Sequence, residues 1–97
     1  MLSTFRVADV STAHITESDA DALGQDAHGD VLLTSDYPEG FWVRTAVAAD
    51  PAALRGLRDR YSEAFVALLV VAHRLGCSHI RLDADGEIYP SLPTYDW

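Results

Sequence analysis

Four histidines, one cysteine and a short alternating run of acids are the residues whose types could do chemistry. His14, His28, His73 and His79 could serve as metal ligands or as a general base. Two ligands on one helix face would need the H-x-x-x-H spacing, and no pair here has it. Cys77 and His79 resemble half of a zinc site, but the other half is missing. Cys77 follows the end of a predicted helix, where the negative end of the dipole works against a thiolate nucleophile. It is expected to be a packed, structural cysteine. Asp83, Asp85 and Glu87 are spaced like the start of a calcium loop. The sixth position of that loop would be Ile88, where glycine is needed, and the twelfth would be Thr94, where glutamate is needed. A plain turn is the better reading. No metal and no cofactor are therefore expected.

His14, within Ser-Thr-Ala-His-Ile-Thr, is the one histidine with a specific setting. It is expected to hold its loop by hydrogen bonds to backbone, with a general base beside nearby acids as the competing role. No G-x-S-x-G, no P-loop and no G-x-G-x-x-G is present. The expectation is a protein that is not an enzyme.

Charge is the distinctive property. The chain has 15 acids, seven arginines and no lysine, for a net charge of −8. Asp9, Glu17, Asp19, Asp21, Asp26, Asp30, Asp36 and Glu39 all lie between Val7 and Val43, a stretch with no arginine. The remaining acids and arginines balance. A phosphate backbone would be repelled, so direct nucleic-acid binding is not expected. A basic protein surface would be attracted. Solubility alone could also account for the acids. Trp42, with Tyr37 and Phe41, surrounds the acidic turn at 37–40, and aromatics beside carboxylates are common at interfaces. The expected partner-contact set is Glu17, Asp19, Asp21, Asp36, Glu39 and Trp42, with Tyr95 and Trp97 next in line.

The elements that must position these residues centre on 61–83. At 100° per residue, Tyr61, Phe65, Leu68, Leu69, Ala72 and Leu75 share one face. The spacing predicts a helix over 63–75, capped by Ser62 and ended by Gly76. In the strand that follows, Ile80 and Leu82 face the helix, and Arg81 and Asp83 face away. Burying six to eight such side chains is worth on the order of 10–20 kcal/mol before entropy is subtracted.

Around this unit the chain predicts a strand over 4–10 and a two-turn acidic helix opened by Thr16 and Asp19. A loop over 25–30 precedes a hairpin of strands over 31–34 and 41–47. A short helix follows, begun by Asp50 and Pro51. A return strand over 87–89 is possible. Pro90 and Pro93 keep the last residues irregular, and Leu92, Tyr95 and Trp97 should lay them on the body. The expected fold is a single α+β domain over 1–97: an antiparallel sheet of about four strands with helices packed on one face. No apolar run approaches the length of a membrane span, and no secretory signal opens the sequence. One cysteine fits a reducing cytoplasm.

The runs YSEAFVALLVVAHRLGC, HIRLDADG and LPTYDW, together with STAHIT before an acidic helix, resemble a small acidic family of unknown function encoded on plasmids and phages. The resemblance implies a mobile-element accessory protein. Proteins of that kind include anti-CRISPR and antirestriction inhibitors, which occupy a basic nucleic-acid site. The expected function is a non-enzymatic inhibitor of a host defence complex, met through the acidic N-terminal half. A structural or regulatory protein-binding module without a defence role is the alternative.

Overall fold

A computed structural model of the chain describes residues 1–25 and 32–97, with only the backbone of Leu33, Thr34 and Asp36. His28, Asp26, Asp30 and Val31, and with them most of the expected loop, lie outside the described residues.

Capping residues set the helix boundaries. Thr16 accepts from the Asp19 amide and Asp19 accepts from the Thr16 amide, which opens α1 (Glu17–Gly24). Asp50 accepts from the Ala52 amide ahead of α2 (Pro51–Arg58), with proline in its first turn. Ser62 accepts from the Phe65 amide and opens α3 (Glu63–Arg74). Gly76, at a φ of 81°, lets the chain leave that helix.

The strands are β1 (Arg6–Ser11), β2 (Leu33–Tyr37), β3 (Gly40–Arg44) and β4 (Cys77–Asp83), in the order β1-β4-β3-β2. The sheet is mixed, which corrects the antiparallel expectation. β2 with β3 and β3 with β4 run antiparallel, but β1 lies parallel to β4, with Val7 opposite His79 and Val10 opposite Leu82. A chain that crosses the whole helical layer between its first and last strands can bring them side by side in one direction. Other elements also differ: β2 runs on to Tyr37, past the expected end at 34. β3 ends at Arg44 because the Thr45 hydroxyl donates to the Cys77 carbonyl and the chain turns into a 3-10 turn at Ala46–Ala49. Residues 87–89 form no strand; their one rung is the Ser11 amide donating to the Glu87 carbonyl at 2.8 Å.

The core lies on one face of the sheet. Phe65, Leu68, Leu69 and Ala72 of α3 join Val10, Val43, Ile80 and Leu82 of the strands. Val66 is also buried there, whereas Leu75, expected on the same face, is 60% exposed. Leu75 shares an open hollow with Leu68 and Ala72 at the end of the helix, which leaves it exposed. The opposite face carries polar rows: Asp9, Arg81 and Trp42 stand in register across three strands, as do Val7, His79 and Arg44. Two close approaches hold one end of the sheet together. A side chain at Gly40 would collide with the Leu82 carbonyl, and one at Gly86 would lie 2.6 Å from the Val10 carbonyl.

Candidate functional site

The end of the sheet where β1 and β4 finish gathers most of the polar chemistry. Tyr37 donates its hydroxyl to Asp83 Oδ2 at 2.7 Å, and the Asp85 amide donates to Asp83 Oδ1 at 2.8 Å. These bonds, the tyrosine's first, hold the Asp83 carboxyl below the usual carboxylate range. Burial, then the bond and charge of Asp83, push the Tyr37 phenol up to about 12. Tyr89 is raised as well, by burial first and then by the charges of Glu87 and Asp9. Arg81 donates from Nε and Nη2 to Asp9 Oδ1, at 2.9 and 2.7 Å, and that bond raises its pKa. The Trp42 ring meets His79 edge-on, with centroids 6.4 Å apart.

The C-terminal tail is zipped onto the segment between β1 and α1. His14 is 1% exposed, and both ring nitrogens are bonded. The Tyr89 amide donates to Nε2 at 2.9 Å; since an amide can only donate, the ring proton sits on Nδ1 and is given to the Pro93 carbonyl at 2.8 Å. The Tyr95 amide donates to the Ala13 carbonyl at 2.8 Å, and Trp97 Nε1 donates to the Ile15 carbonyl at 2.9 Å. His14 therefore holds the tail, and not its own loop as expected: its two bonds reach 75 and 79 positions along the chain. His14→Ala should leave the Tyr89 amide without its acceptor and cost about 1–3 kcal/mol. Amide exchange checks this: Tyr89 and Tyr95 should lose protection, and unchanged protection would mean the tail is held without His14.

Where the tail crosses the sheet end it leaves a cleft of about 320 Å³, lined by Ala13, Ala84, Ile88, Tyr95, Asp96 and Trp97 among others. The Ala84 amide donates to the Glu39 carbonyl at 2.8 Å, so the β2–β3 turn closes the same end. Glu39, Asp83, Asp85, Glu87 and Asp96 all belong to this end, and among the described residues no arginine lines the cleft. A second hollow, about 240 Å³ between α3 and β1, is lined among the described residues by no charged side chain.

The expected contact residues differ in exposure. Glu17 and Asp21 are exposed on α1. Asp19 is fully buried: Oδ1 accepts from the Ser62 amide at 2.8 Å, and Oδ2 accepts from the Ser62 hydroxyl at 2.6 Å and the Thr16 amide at 3.0 Å. It joins the starts of α1 and α3 and cannot meet a partner, which removes it from the contact set. The side chain of Asp36 lies outside the described residues. Glu39 is exposed at the β2–β3 turn, and Trp42 is half-buried on the polar sheet face. Asp85, Glu87, Ile88 and Asp96 were not singled out for binding. Their signal is faint: Asp85 and Glu87 read as a turn, and Leu92, Tyr95 and Trp97 lay the tail on the body without saying where.

Among the described residues, no helix is long and apolar enough to cross a membrane, and no group of three or more His, Cys, Asp and Glu could hold a metal ion. No curated protein and no solved structure matches the chain. One family does, over residues 7–97: the chain belongs to the family of unknown function (DUF5983), in its C-terminal domain.

Proposed function

We propose that the protein is a non-enzymatic inhibitor of a host defence complex, an anti-CRISPR or antirestriction protein carried by a plasmid or phage. It binds a basic protein surface that otherwise holds nucleic acid. One observation carries the reading. Glu17, Asp21 and Glu39 are exposed, and their carboxylates enter no ion pair with another described residue. Their charge is left to act outward on a basic partner.

Capture of the partner from host cytoplasm, followed by its identification, tests the reading. The expected partner is a nucleic-acid-binding defence protein, released as salt rises because exposed charges are screened over about 10 Å at 0.1 M. Duplex DNA should compete for it. A captured partner that ignores both salt and DNA would overturn the reading.

A further inference from the structure

Resting on that reading, we propose that the cleft between the tail and the sheet end is the contact surface, and that it takes a protein segment bearing arginines around a large apolar side chain. Ile88, Tyr95 and Trp97 are 59%, 37% and 52% exposed and line one cleft. Exposed apolar groups concentrated in one hollow mark interaction sites more than scattered ones do.

These groups are also held in place. The Trp97 indole is fixed by its bond to the Ile15 carbonyl, and the Tyr95 backbone by its bond to the Ala13 carbonyl. Rigid, presented aromatics lose little freedom on binding, which is why they serve as anchors.

Charge complementarity selects the occupant. Asp96 is part of the lining, Asp85 adjoins Ala84, and Glu87 adjoins Ile88. Anionic lipid and nucleic acid would be repelled here. A cationic segment would be drawn in. Arginine suits the cleft better than lysine, because its planar guanidinium both stacks on aromatic faces and forks onto carboxylates.

The probe is a fluorescein-labelled heptapeptide of alternating arginine and leucine, followed by anisotropy at low salt. A glycine-for-leucine version keeps the charge, and a glutamate-for-arginine version reverses it. The first should bind, the second at least tenfold more weakly, and the third not at all. Ile88→Ser, and Glu87→Gln combined with Asp96→Asn, should each weaken the first peptide tenfold or more while the thermal melt stays put. Asp59→Lys, exposed at the end of α2, should bind as the parent does, and Glu17→Lys with Asp21→Lys tests the acids of α1 instead. If the α1 reversals weaken binding and the cleft variants do not, the cleft assignment is wrong while recognition of a basic surface stands. Equal binding of the leucine and glycine peptides would also overturn the cleft. A parent protein that binds no arginine peptide would overturn both.

Discussion

Asp19→Ala should lower the stability of the domain by about 3–5 kcal/mol. One carboxylate accepts from Thr16, from the Ser62 amide and from the Ser62 hydroxyl, and it has no exposed surface. Hydrogen bonds to a charged group are worth roughly 1.5–3 kcal/mol each, and truncation leaves buried amides without an acceptor. Two helix starts lose bonds at once, the Thr16 amide at α1 and the Ser62 amide and hydroxyl at α3. For a domain near 100 residues the loss corresponds to a melting shift of roughly 15–30 °C. Asp19→Asn keeps one acceptor oxygen but turns an amide toward donors, so it should show at least half of the loss. Calorimetry on both variants decides the matter. A shift below about 1 kcal/mol in Asp19→Ala would mean that the two helix starts hold independently.

The second large effect is expected at Phe65, which is fully buried and stacks on Tyr61 with ring centroids 4.5 Å apart. Phe65→Ala should cost about 3–5 kcal/mol, and Leu69→Ala about 2–5 kcal/mol, since each leaves a cavity that its neighbours only partly fill. Leu75→Ala serves as the contrast. That side chain is 60% exposed, and its removal should fall within about 0.5 kcal/mol of zero. Urea unfolding measures all three. Similar losses at Leu75 and Phe65 would show that the helix sits on the sheet by a different face.

Much of this was legible because it depends on neighbours in sequence. The capping box at Thr16 and Asp19, the Asp50 cap and the alternation in β4 are local patterns, and local patterns leave a readable period or spacing. Asp19 shows where legibility stops. Its role at the α1 start followed from Thr16 three positions away, but its bonds to Ser62 span 43 positions and leave no trace in either segment. Polar alternation likewise placed Arg81 on an outward face, where it stands opposite Trp42 of β3. That they share a row depends on β3 and β4 being neighbours, which is a property of the sheet and not of either strand. That the tail lies on the body was legible from Leu92, Tyr95 and Trp97; where it lies was hidden for a third reason, because its partners at Ala13 and Ile15 are backbone carbonyls, which every residue has. The direction of β1 was misread because strand pairing between chain ends has no local signature.

That pairing bears on when folding can finish. Asp9 and Arg81 are bonded across 72 positions of chain. Closing a loop of that length costs on the order of 4 kcal/mol in chain entropy before any contact between the strands is gained. Hairpin β2–β3 and the three helices have nearby partners and can form early. β1 has none until β4 has left the ribosome, and until then it is an unpaired strand with a bare edge. Completion of the sheet is therefore set by the arrival of its last strand, and the nascent N-terminal segment is the part of the molecule most in need of shielding while it waits.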